Sequence, residues 1–209
     1  MEIEAKFIIP DAKAAGRLRT LDALDSFTLG AAHDLKMRDT FYDTPARALI
    51  TARHVLRVRR RNDAKQFVTL KAPTEKIGAV HRRPEIEVEV DFARLPNHLS
   101  RANLPPRVYK HIASLVGDAV LHPLFSIAQT RRLRVLKMGR RVIGEWSVDR
   151  VEFRAGARTQ VFYELEIELK KTGTETDLKA CVAALKKHIR LAPQRHGKFQ
   201  RALKFYETK

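Results

Sequence analysis

The sequence predicts an α+β protein built on a largely antiparallel β-sheet or barrel, with ionic side chains turned inward and helices packed outside. Three observations lead there. Many segments alternate with period two, most of them in adjacent pairs, as strands joined to antiparallel neighbours do. In several of these strands the residues alternating with the apolar ones are a full row of ionised groups. The rows also carry both signs, Glu164/Glu166/Glu168 in one strand and Arg57/Arg59 in another. An ordinary sandwich would send all such faces to water. A barrel coated by helices would instead turn its apolar faces outward and gather the charges in the middle. Such an interior persists only when filled with polar groups, and it is usually functional.

The elements follow in order. Met1 to Ile9 is a strand with Glu2, Glu4 and Lys6 on one face and Ile3, Ala5 and Phe7 on the other. Pro10-Asp11 opens an amphipathic helix with Ala14, Leu18, Leu21 and Leu24 on one side. Residues 26–42 hold strand-like pieces that end in Phe41-Tyr42-Asp43-Thr44-Pro45. There Asp43 or Thr44 can cap a short helix with Pro45 at its first position. Residues 55–61 form a strand with Arg57, Arg59 and Arg61 on one face and Leu56 and Val58 on the other. Asn62-Asp63 reads as a hairpin turn, although the usual glycine is missing. The return strand, Phe67 to Lys71, puts Thr69 and Lys71 on one side.

A loop containing Pro73 and Gly78 leads to a strand from His81 to Asp91, in which Arg83, Glu85, Glu87 and Glu89 share a face. Residues 93–118 read as helices interrupted by Pro105-Pro106. Three more strands follow at about 121–137, 140–153 and 159–169; the last sets Glu164, Glu166 and Glu168 against Leu165, Ile167 and Leu169. A helix from Glu175 to His188 and a short basic helix around Lys198 to Phe205 close the sequence.

A chain of 209 residues with 44% hydrophobic residues suffices for one sizeable globular domain, and we read residues 1–209 as a single domain. Lys and Arg number 41 against 24 Asp and Glu, a formal net charge of +17. An excess that large points to a polyanionic partner: nucleic acid, an anionic membrane or a phosphorylated small molecule. The single cysteine, Cys181, sits in a helical pattern and reads as a buried apolar thiol. Charged residues occupy the N-terminus where a signal peptide needs an apolar core, and no apolar run approaches membrane-spanning length. The expectation is a soluble protein of a reducing compartment, most simply the bacterial cytoplasm, with no membrane partner.

Acidic and basic clusters in one cavity suit a divalent cation bridging to a polyphosphate. Carboxylates hold Mg²⁺ or Mn²⁺, while guanidinium and ammonium groups hold phosphate oxygens.

The residues that carry these charges also resemble a known family. Glu2-Ile3-Glu4-Ala5-Lys6 looks like the ExExK signature of CYTH domains, the triphosphate tunnel metalloenzymes, which include class IV adenylyl cyclases, thiamine triphosphatases and inorganic triphosphatases. Phe41-Tyr42-Asp43-Thr44-Pro45 resembles the family's YFDTP, Leu56-Arg57-Val58-Arg59 its LRxR and Thr69-Leu70-Lys71 its TLK. Arg83-Pro84-Glu85 and Pro123-Leu124-Phe125-Ser126, leading to Arg131, are similar to segments of the bacterial inorganic triphosphatase branch. Asp149, the Glu164–Glu168 strand and His196-Gly197-Lys198-Phe199-Gln200-Arg201 complete the series. Two positions depart from that branch: Arg134 stands where an aromatic is usual, and His196 where serine is.

The resemblance implies an eight-stranded antiparallel barrel forming a tunnel, and hydrolysis of inorganic triphosphate to pyrophosphate and phosphate. Glu2, Glu4, Lys6 and Lys71 form the expected catalytic set. Glu2 and Glu4, joined by Asp149 and some of Glu164, Glu166 and Glu168, are the expected ligands of one or two Mg²⁺ or Mn²⁺ ions; strand parity leaves open whether Glu164/Glu166 or Glu166/Glu168 is the pair. Lys6, Arg57, Arg59, Lys71, Arg83, Arg131, Lys198 and Arg201 are expected to grip the phosphates. Arg60, Arg61, Arg132 and Arg134 are assigned to a solvated face, and Glu87 to anchoring arginines. In the same branch a CHAD domain often follows the tunnel, so a C-terminal CHAD domain is a further expectation. A class IV cyclase, a thiamine triphosphatase and a non-catalytic polyphosphate binder are the competing readings. Nucleic-acid binding ranks last, because it does not explain alternating acidic and basic strand faces or the few aromatics near the arginines.

Overall fold

The alternation in the sequence becomes one antiparallel sheet rolled into a barrel-like tunnel. The structure is a computed structural model and describes residues 1–77 and 80–208, so the Gly78 of the expected loop lies outside the described residues. In chain order the elements are β1 (Glu2–Ile9), α1 (Ala12–Thr20), β2 (Ala23–Leu24), β3 (Phe27–Asp43), α2 (Ala48–Thr51), β4 (Val55–Arg61), β5 (Gln66–Lys71), β6 (Glu75–Ile77), β7 (Val80–Arg83) and β8 (Glu85–Val90). There follow α3 (Pro106–Val116), β9 (His122–Met138), β10 (Arg141–Ala155), β11 (Arg158–Leu169), α4 (Glu175–His188), β12 (Ala192–Pro193) and α5 (Lys198–Glu207).

The ladder runs β6-β7-β1-β11-β10-β9-β3-β4-β5-β8, antiparallel between every pair of neighbours. Among the described residues no ladder joins β8 back to β1. The chain itself spans that gap: β7 pairs with β1, Pro84 interrupts, and β8 pairs with β5. Counting β7 and β8 as one strand broken at a residue without an N–H gives eight positions round the ring. Lys71 Nζ ties the seam from within, 2.7 Å from Glu2 and 2.8 Å from Glu85.

Period-two alternation then sorts the side chains. Ala5, Phe7, Trp146, Val148, Leu165 and Ile167 face outward and are covered by Leu18 of α1 and by Leu178, Cys181 and Leu185 of α4. Leu56, Val58, Val68 and Leu70 face outward elsewhere, beneath Val108 and Ile112 of α3 and Leu49 of α2. A third cluster differs in kind. Phe41, Phe125, Ile127, Val151 and Phe153 share the inward parity of Asp39, Arg131 and Asp149, and α5 packs on them through Ala202, Phe199 and Leu203. So α1 to α4 coat the cylinder, whereas α5 sits on its inner face and closes it on that side.

Local sequence explains most boundaries. The Asp11 side chain accepts from the Ala14 N–H at 2.7 Å and caps α1. Thr174 and Asp177 form the reciprocal capping pair of α4. The Asp43 carboxylate accepts from the N–H groups of Leu49 and Ile50, each at 2.9 Å, so this buried aspartate serves α2. That helix starts at Ala48 rather than at Pro45. Residues 93–104 are not helical; Pro106 begins α3 instead of interrupting a longer helix, because its fixed φ and missing N–H suit a first turn. The strand-like pieces of residues 26–42 merge into the 17-residue β3, whose register slips twice against β9.

Candidate active site

Inside the ring the expected residues meet. Along the β1–β11 ladder Glu4 stands beside Glu168 and Lys6 beside Glu166. Asp149 of β10 pairs with Glu164 of β11 on one side and with Arg131 of β9 on the other. Arg57 and Arg59 enter from β4, Lys71 from β5, Arg83 from β7 and Lys198 from the first turn of α5. Glu2, Glu4, Lys6, Arg57, Arg59, Lys71, Arg83, Arg131, Glu166, Glu168 and Lys198 all line one cavity of about 910 Å³. Asp149 and Glu164 are fully buried in its wall.

The cavity has an acidic side. Asp149, Glu164 and Glu166 bring one carboxylate oxygen each to within 4.8 Å of one another. Lys198 Nζ touches all three, at 2.9, 2.7 and 2.7 Å respectively. Lys6 Nζ lies 2.8 Å from Glu4 and 3.1 Å from Glu166. Arg131 forks onto Asp149 at 2.8 and 2.7 Å and also donates to Glu166. Glu168 turns instead to Lys170, at 3.0 Å. Of the two pairs that parity left open, it is Glu164 and Glu166 that cluster with Asp149.

On the basic side, Asp39 holds both arginines. Arg59 donates to it twice, at 2.7 and 2.8 Å, and Arg57 once at 3.1 Å. Glu87 accepts from Thr69 at 2.9 Å and lies 3.8 Å from Arg57, in the anchoring place expected of it. Arg83 donates to Thr74 at 2.6 Å.

Burial and neighbouring charge set the protonation. Burial pushes the Glu4 carboxyl up, Lys6 offsets part of this, and Glu2 and Glu166 add to it, leaving the group at about 7. Burial also raises Glu164, against Lys198. For Glu166 burial acts upward too, but Lys198, Lys6 and Arg131 outweigh it and hold the carboxyl well below its usual range. Burial alone would lower the Lys198 ammonium; Asp149, Glu164 and Glu166 raise it instead.

Other residues fall elsewhere than expected. Arg201 does not reach the lining: its guanidinium carbon lies 3.3 Å from the centre of the Phe162 ring. Arg61, assigned to a solvated face, lines the cavity above Phe67 and pairs with Asp63 at 2.6 Å, because it shares the parity of Arg57 and Arg59. Arg134, given the same assignment, is buried and donates to the carbonyls of Gly30, Leu21 and Leu29 and to Asp22. Arg60 is exposed, as expected. Asp39 was absent from the expected set; its one sequence signal is a lone carboxylate at the inward parity of Phe41.

The donor set fits a hard divalent cation. It is all carboxylate oxygen, without imidazole or thiolate, and the buried Glu164 Oε2 has no hydrogen-bond partner.

A family model for the CYTH domain matches residues 1–203. The chain belongs to the CYTH domain family. An inorganic triphosphatase of Haemophilus influenzae is 28% identical to it over 155 residues, 74% of this chain. The match spans 42% of that relative's length. Among solved structures, a putative adenylyl cyclase from Hippeastrum, described as having a dominant triphosphatase activity, superposes with a TM-score of 0.74 at 22% identity, covering 98% of this chain and 96% of its own. A putative adenylate cyclase from Bacillus halodurans gives 0.64 at 19% identity, covering 96% of each chain. The PH1819 protein of Pyrococcus horikoshii gives 0.59 at 18%, covering 98% of this chain and 99% of its own. At these identities the structural likenesses establish the CYTH fold alone. No helix of the described residues is long and apolar enough to cross a membrane.

Proposed function

We propose that this CYTH domain hydrolyses inorganic triphosphate to pyrophosphate and phosphate with the help of Mg²⁺ or Mn²⁺, acting in the cytoplasm. The observation that carries the reading is the meeting of a carboxylate cluster and an arginine-lysine cluster in one cavity. Glu2, Glu4, Asp149, Glu164 and Glu166 would hold one or two ions, with Glu168 at the edge of the set. A bound ion of this type neutralises phosphate charge and polarises the attacking water. Arg57, Arg59, Arg83 and Arg131 offer planar forks to phosphate oxygens, and Lys6, Lys71 and Lys198 offer compact charges. Phosphoryl transfer requires mainly positioning and charge compensation, so no serine, cysteine or histidine nucleophile is needed.

The test is phosphate release from tripolyphosphate, thiamine triphosphate, ATP and long polyphosphate, with and without each ion. Tripolyphosphate should be the best substrate and should need the metal. Glu4→Ala should lower turnover by about 10²- to 10³-fold or more with the fold intact; near-normal turnover in that variant counts against the metal assignment.

One observation favours a second reading. Leu35, Met37, Leu133 and Phe67 form an uncharged part of the same lining. An apolar wall beside the arginines suits an organic triphosphate, and cyclic AMP formed from ATP would decide for the cyclase.

A further inference from the structure

Asp39 lies beneath the cavity and not in it. It is 0% exposed and absent from the lining, whereas Arg57 and Arg59, whose side chains are 12% exposed, do line it. The β3–β4 register sets Asp39 directly beside Arg59, two pairs along from Phe41 and Arg57 on the same face, so a single carboxylate reaches both guanidiniums. Its Oδ1 accepts from Arg59 Nε at 2.7 Å. Its Oδ2 accepts from Arg59 at 2.8 Å, Arg57 at 3.1 Å and the Gln129 amide at 2.8 Å.

This is a costly way to fill the space. The neighbours at the same parity are Met37, Phe41 and Ile127, which pack without charge, and a buried ionic cluster is often no more stable than its apolar replacement. Two like-charged guanidiniums two residues apart on one strand would otherwise repel and swing toward water. Held along one edge, each keeps its remaining N–H groups for the cavity. Arg57 Nε, buried and without a partner, is a donor still waiting for an acceptor.

We propose that Asp39 is a positioning residue that locks Arg57 and Arg59 into the orientation in which they receive the phosphates of the substrate. The proposal rests on the triphosphate reading of the cavity. It makes a counterintuitive prediction. Asp39→Asn removes a negative charge from beside an anion site, so electrostatics alone would tighten binding. Loss of orientation would weaken it.

The experiment measures tripolyphosphate affinity by calorimetry without divalent ion, and hydrolysis with Mg²⁺, in the full chain. Asp39→Asn should weaken tripolyphosphate binding by about tenfold and lower kcat/KM by a similar factor. In an Arg59→Lys background the same change should cost clearly less than in the wild type, because one of the two forks it orients is already gone. Unchanged or tighter binding in folded Asp39→Asn protein overturns the proposal, as do fully additive effects. Should Asp39→Asn fail to fold, Gln129→Met keeps the charge and removes one of its donors. That variant should bind about two- to threefold more weakly, and equal or tighter binding again overturns the idea. Wild-type protein that binds tripolyphosphate but releases no phosphate sinks the triphosphatase reading alone; full hydrolysis and binding in Asp39→Asn sink this one alone.

Discussion

Glu4 faces two like charges, Glu2 and Glu166, from a site that is 4% exposed, and its carboxyl rises from 4.5 to about 7. Between those two values the folded chain keeps a proton that the unfolded chain has released. The contribution of Glu4 to stability therefore declines as pH rises through that window and is least favourable above it. A divalent ion that takes the proton's place reverses the balance. Mg²⁺ or Mn²⁺ affinity should climb as pH rises toward about 7 and level off above it, and calorimetry across that range should show the slope flattened in Glu4→Gln. An equal slope in the variant would place the titration elsewhere.

Single residues divide into those that strand parity reveals and those that it hides. Glu2, Glu4 and Lys6 were legible because a row of charges on one strand face is rare unless the face has a task. Asp39 was not, since one carboxylate among Met37, Phe41 and Ile127 makes no row. Arg134 is hidden for another reason. It does point away from the cavity, but three backbone carbonyls and Asp22 fold over it, and no local pattern announces acceptors that arrive from over a hundred residues away.

Among the elements, hairpins show most clearly where the sequence departs from easy geometry. The β4–β5 turn lacks glycine, and Ala64 takes the left-handed conformation at φ 63° in its place. Left-handed backbone costs an alanine roughly 1 kcal/mol, and glycine is nearly free of that cost. Ala64→Gly should raise unfolding stability by about 0.5–1 kcal/mol, less than the full strain because glycine also loosens the unfolded chain. Urea denaturation reads this directly, and a loss of stability would contradict it. Long elements were legible by period: β9, β10, β11 and α4 lie within a residue or two of their expected bounds. The stretch before Pro105 was not, because its apolar residues pack as an irregular cover (Leu99 and Leu104 under α3) without the spacing of a helix face. Nor did periodicity show that α5, amphipathic like the others, covers an inner face.

For the molecule as a whole, the formal charge of +17 is divided unequally. Most lysines and arginines of the lining pair with carboxylates, so much of the unbalanced positive charge is exposed. Charge of that kind draws in polyanions from solution and is screened over about 10 Å at 0.1 M salt. Raising ionic strength from about 0.05 to about 0.5 M should lower kcat/KM for tripolyphosphate by about tenfold and kcat much less. Equal loss in both would mean that salt acts on the buried ion pairs instead. The inside-out barrel itself was legible as a contradiction, ionic faces that no ordinary sandwich could use. The interruption at Pro84 was not, since a single alternating stretch runs through it.

That interruption gives the cylinder a split-ring character. Elsewhere each wall strand is riveted to both neighbours by backbone hydrogen bonds, but between β1 and β5 the wall is spliced by Pro84, the Ala72 to Pro84 hydrogen bond of 3.0 Å and the Lys71 clasp. Opening at that splice breaks the Ala72–Pro84 hydrogen bond and one lysine's contacts and leaves the strand ladders whole. Amides flanking it, such as Ala72 and Glu85, should exchange with deuterium well before those of β9 and β10, and Lys71→Met should hasten them further. A wall joined in that way can widen there without unzipping a ladder.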